Sequence, residues 1–183
     1  MHWTSSFIRT NCLAALLGLS VCGLPYAQTC RSDVTSTSPT TRFVLSGSEA
    51  SDTLTGLVWL RCSLGQTWNA TTSTCDGAAS TYTWPEALLA ASDLSGGYRV
   101  PNILEIQSIF EARCNYPPTN RTVFPNMPYG LFWSSTPSLI DANVACHASL
   151  NNGNTYCSIS NGSTGQGQKT TIKMQALVVR TQK

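Results

Sequence analysis

The sequence predicts a single α+β domain, stapled by disulfides, with two helices and short mixed antiparallel strands. Six cysteines remain once an N-terminal leader is removed, and an even number in an oxidising compartment indicates three disulfides. Two helix starts have capping boxes, and the other apolar runs are short and separated by turn residues. Roughly 155 residues would remain, which is enough to bury a core in one domain.

Residues 1–27 have the pattern of a secretory signal peptide. Arg9 precedes an apolar stretch from Cys12 to Gly23, which is too short to remain as a stable membrane anchor. Cleavage after Ala27 and cleavage after Gly23 both fit the pattern. We therefore expect an exported protein that resides in the periplasm, at the cell surface or outside the cell, with no membrane span in the mature chain.

The rest of the chain divides into an exposed N-terminal lead-in, residues 28–51, and a folded domain, residues 52–183. The lead-in is rich in Ser and Thr and includes the first strand. Alternating or continuous apolar runs predict strands at residues 42–46, 54–61, 131–135, 142–150, 155–160 and 171–180. Residues 62–75 are mostly polar and predict a loop that needs closing.

Both helices are predicted from their first turns. Thr83 is followed three residues later by Glu86, with a proline in the first turn between them. Asn102 and Glu105 repeat the spacing, and an apolar face follows at Ile103, Ile106, Ile109 and Phe110. We expect residues 99–110 to form a strand-to-helix corner at the centre of the fold.

The six mature cysteines suggest a pairing. A bond between Cys62 and Cys75 would close the polar loop. Cys146 and Cys157 lie on the same side of a predicted hairpin, directly opposite if the turn is at residues 151–152 and diagonal if it is at residues 152–153. Elimination leaves Cys30 with Cys114.

Several classes of chemistry find no support in the composition. The formal net charge of +2 and the sparse charges favour neither nucleic acid nor a membrane surface as partner. His147 is the one histidine of the mature chain, and strand alternation predicts that it is a surface residue on the face opposite Cys146. One histidine and six oxidised cysteines leave too few ligands for zinc, so we expect no metal, no cofactor and no enzymatic activity.

An ordered set of short motifs resembles the bacterial DUF1566 family, also called the Lcl C-terminal domain. They occur at residues 52–59, 84–87, 99–102 with Glu105, 124–126, 132–136 and 178–180. The family usually has Asp-Trp where this chain has Gly97 and Tyr98, and Val100 replaces a leucine, which puts a family-wide pocket near Tyr98 in doubt.

The resemblance implies a fold similar to C-type lectins and to the formylglycine-generating-enzyme family. It also implies a non-catalytic, adhesin-like module that binds polysaccharide or another extracellular polymer. The alternative is a structural or accessory component of a surface appendage or envelope complex, acting through protein contacts, and an oligomer is compatible with either. An enzyme of the formylglycine-generating type would need a reduced thiol pair, whereas these cysteines are expected to be oxidised.

Four residues are candidates for ligand binding. Trp133 is either a core residue of its strand or an exposed surface on which a sugar ring could stack. Lys169, Lys173 and Arg180 follow the last acidic residue, Asp141, and could bind an anionic polysaccharide.

Overall fold

The structure is a computed structural model that describes residues 27–157 and 167–182. The predicted signal peptide therefore lies outside the described residues, apart from Ala27. Two helices are present in this part of the chain, α1 (Trp84–Ser92) and α2 (Ile103–Ser108), together with a 3₁₀ turn at Thr40–Arg42. Neither α1 nor α2 has the length and hydropathy needed to cross a bilayer.

Short strands make up the rest of the regular structure in these residues. They are β1 (Thr29–Cys30), β2 (Phe43–Ser46), β3 (Glu49–Asp52), β4 (Leu57–Leu60), β5 (Thr67–Asn69), β6 (Thr74–Asp76), β7 (Cys114–Asn115), β8 (Leu131–Pro137), β9 (Ala145–Ser149), β10 (Thr155–Tyr156), β11 (Gln175–Ala176) and β12 (Val179–Thr181). One four-stranded sheet has the order β12-β4-β3-β2 and the other the order β10-β9-β8-β11. Two ribbons, β1-β7 and β5-β6, complete the set, and β11 with β8 is the parallel pair. These elements confirm a disulfide-stapled α+β fold.

The first sheet separates the core from a half-exposed outer face. Trp59 of β4 pairs with Ala50 of β3, and both are fully buried beside Phe124. Side chains directly opposite on neighbouring strands share a face, so Leu60 and Glu49 lie together on the other side. Strand β3 was not predicted, because its residues do not form an apolar run.

Both helices begin where the capping boxes predicted. The backbone N–H of Thr83 donates to the Glu86 carboxylate at 2.8 Å. The backbone N–H of Asn102 donates to the Glu105 carboxylate at 2.7 Å, and the backbone N–H of Glu105 donates to the side-chain oxygen of Asn102 at 2.9 Å. Arg99 donates two further hydrogen bonds to Glu105, at 2.6 and 2.7 Å, so a salt bridge as well as the helix cap stabilises the corner.

The predicted long strand at residues 171–180 is wrong. The segment divides into β11, which joins the second sheet, and β12, which joins the first. Leu177 and Val178 cross between the two sheets, and all four residues from Ala176 to Val179 are buried. A chain that is packed on both sides does not alternate between apolar and polar, so the pattern did not mark the break.

Three disulfides connect the described elements with the predicted pairing. They are Cys30–Cys114, Cys62–Cys75 and Cys146–Cys157. His147 pairs with Tyr156, so the register puts Cys146 directly opposite Cys157. Most side chains of residues 27–37 are exposed, but the segment is anchored by its disulfide and by Ser38, which is fully buried.

Candidate ligand groove

Trp133 is a core residue, so its assignment as a stacking surface for sugar is corrected. Its side chain is fully buried, and its indole N–H donates to the backbone oxygen of Tyr82 at 2.8 Å. The ring belongs to a buried cluster that also contains Ala87, Val100 and Val178, so none of its faces is open. A ligand therefore cannot reach Trp133.

His147 is also buried, which corrects the prediction that it lies on the surface. Only 2% of the residue is exposed, and its ring stacks on Tyr156 with the centroids 5.3 Å apart. Among residues 27–157 and 167–182, neither ring nitrogen has a partner that meets hydrogen-bond geometry. Burial lowers the pKa of His147 and keeps the ring neutral in the folded protein.

The three candidate cations do not form one site. Lys169 donates to the backbone oxygen of Ala142 at 2.8 Å and lies 4.6 Å from the centre of the Trp84 ring. The Lys173 ammonium is 3.9 Å from the Glu86 carboxylate. Both lysines therefore lie beside the start of α1.

Arg180 lies elsewhere, on the outer face of the first sheet. Its guanidinium donates to both carboxylate oxygens of Glu49, at 3.1 and 3.0 Å. Tyr98 donates its hydroxyl hydrogen to the same carboxylate. Burial raises the pKa of Tyr98, and the hydrogen bond to Glu49 adds to the rise, so Tyr98 stays protonated and donates.

A groove of about 300 Å³ lies next to this cluster. Most of its lining surface is apolar, and serine hydroxyls and a glutamine amide are also among the lining groups. The lining residues are Ser48, Leu60, Cys62, Ser63, Leu64, Gly65, Gln66, Trp68 and Leu94. Because Glu49 shares a sheet face with Leu60, the cluster of Glu49, Tyr98 and Arg180 borders the groove.

Trp68 is the half-buried aromatic residue of this groove, and it is held firmly. It lies on β5 opposite Cys75, whose disulfide to Cys62 ties the ribbon to the end of β4. The guanidinium of Arg61 lies 4.2 Å from the centre of the ring. Arg61 is itself fixed, because it donates to the backbone oxygens of residues 47, 122 and 123 at 2.8 to 3.0 Å.

The loop that leads into β5 is equally well defined. The side-chain oxygen of Gln66 accepts from the N–H of Ser63 at 3.1 Å, and its amide nitrogen contacts two backbone oxygens at 3.3 Å. Gly65 has φ +92°, and a Cβ there would lie 2.2 Å from the Ser80 hydroxyl oxygen. Only glycine fits this approach without a shift of the backbone, so residue 65 fixes how closely this loop packs on Ser80.

Sequence reasoning missed Trp68. One signal was available, since Trp68 is a single large aromatic residue in a polar segment that a disulfide closes. Such a residue has no periodic apolar partners and is therefore a poor core candidate. In residues 27–157 and 167–182, no group of three or more His, Cys, Asp or Glu side chains is placed to hold a metal ion.

Comparison with known proteins identifies a family. The sequence model of the Lcl C-terminal domain matches residues 48–179, which include the whole groove and most of the chain. The comparisons with curated proteins and with solved structures found no match. The chain belongs to the Lcl C-terminal domain family.

Proposed function

We propose that this domain is a non-catalytic recognition module that binds polysaccharide in the Trp68 groove. The observation that supports it is a half-buried tryptophan, held by Arg61, at the side of a groove. Aromatic rings stack on the apolar faces of sugars, and pockets of this kind combine an apolar lining with a few polar groups. Three disulfides are typical of proteins that fold outside the cytoplasm, so we also propose export.

The groove offers complementary contacts to a sugar. Leu60 and Leu94 supply apolar surface beside the Trp68 ring, and Ser48 supplies a hydroxyl. The Glu49 carboxylate at the border has lone pairs beyond those used by Tyr98 and Arg180, and these can accept from sugar hydroxyls. The lectin-like fold implied by the family resemblance belongs to the same proposal.

Charge at the groove favours a neutral segment of polysaccharide. Glu49 and Arg180 compensate each other, and Arg61 is turned toward backbone oxygens. The earlier expectation of an anionic ligand on Lys169 and Lys173 remains a second hypothesis, weakened by the partner that each lysine already has. An array of neutral and sulfated glycans, read at low and moderate salt, separates the two.

Four variants make that experiment specific. Trp68→Ala and Leu94→Ala should each lose binding to the array, while Leu89→Ala should keep it. Leu89 is the matched control, because it is 62% exposed and is not part of the groove. If Trp68→Ala still binds glycan but the double variant Lys169→Ala with Lys173→Ala does not, the ligand site is the basic segment and not the groove.

A second candidate function is the structural or accessory role through protein contacts. It is favoured by Leu139 and Ile140, which are 99% and 77% exposed beside the Cys146–Cys157 disulfide. Exposed aliphatic side chains of this size are typical of protein-binding surfaces. Light scattering tests this role: concentration-dependent association that Leu139→Ser with Ile140→Ser abolishes would support it, and a monomer at every concentration would count against self-assembly.

A further inference from the structure

A second cleft, separate from the Trp68 groove, lies between the N-terminal lead-in and residues 111–122. Its volume is about 290 Å³. The two walls are joined by the Cys30–Cys114 disulfide and by the Gln28 amide, which donates to the backbone oxygens of Pro117 and Thr119 at 2.7 Å each. One wall lies before residue 48, outside the residues that the family model matches.

The charge balance of the cleft is positive. Arg113, Arg121 and Glu111 all line it. The Glu111 carboxylate accepts from the Ser36 hydroxyl and from the N–H groups of residues 37 and 38, at 3.1 and 3.4 Å. Because the lead-in already satisfies this carboxylate, it competes weakly for the two guanidinium groups.

Neither arginine is well paired. The Arg113 Nε atom is 3.6 Å from the Glu111 Oε1 atom, which is too far for a hydrogen bond. Arg121 is exposed, and no residue of the described chain forms an ion pair or a hydrogen bond with its side chain. Two guanidinium groups with unused donors thus open on the same cleft.

Buried polar atoms in the same region also have no partner. Thr119 and Ser38 are fully buried, yet the hydroxyl oxygen of each has no hydrogen bond to the part of the chain that the structure describes, and the same holds for the buried Arg113 Nε atom. Thr119 is one of the lining residues, and Ser38 stands in sequence between the lining residues Ser36 and Pro39. Buried polar groups are nearly always hydrogen-bonded in native proteins, so these three atoms indicate that something else satisfies them.

We propose that this cleft binds a carboxylate or sulfate group, with Arg113 and Arg121 as donors and the Thr119 hydroxyl as a third. Planar guanidinium groups suit oxyanions because they can donate two parallel hydrogen bonds. The amide nitrogen of Gln28 is already used by two backbone oxygens, but its side-chain oxygen can accept from a ligand hydroxyl at the edge of the cleft, which suits an acidic sugar. The site does not depend on the Trp68 groove and can be tested separately.

The test is isothermal titration of the exported, oxidised protein with sodium sulfate and sodium glucuronate, against sodium chloride at equal ionic strength. Arg121→Gln should weaken binding of the preferred anion about five- to tenfold. Arg31→Gln is the matched control, because it removes one exposed guanidinium that is paired with Asp33 and does not line the cleft, and its affinity should stay within about twofold of the parent. The tighter of the two anions identifies the ligand class.

Thr119→Val separates a binding role from a structural one. Valine has the same shape as threonine but lacks the unpaired hydroxyl, so the ligand-free variant should melt at or above the parent temperature and still bind the anion more weakly. Saturable binding that Arg121→Gln and Thr119→Val both weaken supports the site. Equal affinity in parent and both variants, or no saturable binding beyond the chloride control below about 100 mM, would overturn it.

Discussion

Asp52→Asn should be one of the most destabilising single changes of similar size in this protein. Asp52 is fully buried and accepts hydrogen bonds from the Arg42 Nε atom at 2.7 Å, the Leu54 N–H at 3.0 Å and the Thr55 hydroxyl at 2.6 Å. Arg42 also donates through a second nitrogen, and only 9% of its side chain is exposed. An asparagine amide would present a donor to this guanidinium and leave a buried positive charge without a counter-charge, with backbone oxygens such as that of Ser108 as its remaining partners.

The cost follows from the burial of both partners. Breaking a buried ion pair by removing one charge costs about 3 to 5 kcal/mol. At roughly 2 to 4 °C per kcal/mol for a chain of this size, the melting temperature should fall by about 6 to 20 °C. Urea unfolding and calorimetry on the oxidised protein both report this quantity.

A matched control is available in the exposed pair of Arg31 and Asp33. Their side chains are 71% and 66% exposed, so Asp33→Asn should leave the free energy of unfolding unchanged within experimental error. A loss below about 1 kcal/mol for Asp52→Asn would refute the reasoning. Unfolding measured at acidic pH gives a second test. Burial alone would raise the pKa of Asp52, but the hydrogen bonds from Arg42, Thr55 and Leu54 outweigh it and hold the pKa below its usual range. The contribution of the ion pair to the free energy of unfolding is therefore lost as the pH falls below about 4.

Two further changes test the core and the second sheet. Ile106→Ala should lower the free energy of unfolding, measured with urea, by about 2 to 5 kcal/mol because Ile106 is fully buried. Leu104→Ala on the same helix should lower it by less than about 0.5 kcal/mol, because 71% of Leu104 is exposed. Similar losses in the two variants would mean that the buried face of the helix is wrongly assigned. His147 has a pKa lowered by burial, so its contribution to stability is complete above about pH 6.5 and is lost as pH falls, at no more than about 1.4 kcal/mol per pH unit. His147→Phe should flatten this dependence between pH 7 and 5.5, and an unchanged slope would show that other groups cause it.

Local interactions made part of this structure predictable from sequence. A capping box needs only residues three positions apart, so Asn102 with Glu105 marked a helix start whatever the rest of the fold did. The Cys146–Cys157 bond required only that a hairpin form with the two cysteines on one side. The Cys30–Cys114 bond spans 84 residues and was reached by elimination alone.

Burial on both faces of a strand explains the main errors. All five residues of β9 are buried, including His147, and in β8 the three successive residues 132–134 are buried as well. The alternation rule assumes that one face of each strand is exposed to solvent, which is not true of these two strands. It therefore placed His147 on the surface and could not decide whether Trp133 is buried. The parallel pairing of Gln175 with Phe132 depends on contacts far apart in sequence, which no local pattern reveals.

The groove was unpredictable for a related reason. Trp68, Leu60 and Leu94 come from a ribbon, a strand and the residues after α1, and only the fold brings them together. Glu49 and Arg180 are 131 residues apart, so the compensation of Arg180's charge could not be seen in the basic C-terminal segment.

The most direct measurement is the affinity of Trp68→Ala for the glycan that the parent binds most tightly on the array, measured by titration and accompanied by a melting curve. Truncating an aromatic residue at the centre of a binding site typically costs about 2 kcal/mol or more, so the affinity should fall at least about tenfold while the variant remains folded. In the parent, the same titration should change tryptophan fluorescence, and Trp68→Phe should lose that change because Trp59, Trp84 and Trp133 do not line the groove. A folded Trp68→Ala variant with the parent's affinity would contradict the assignment of this groove as the ligand site.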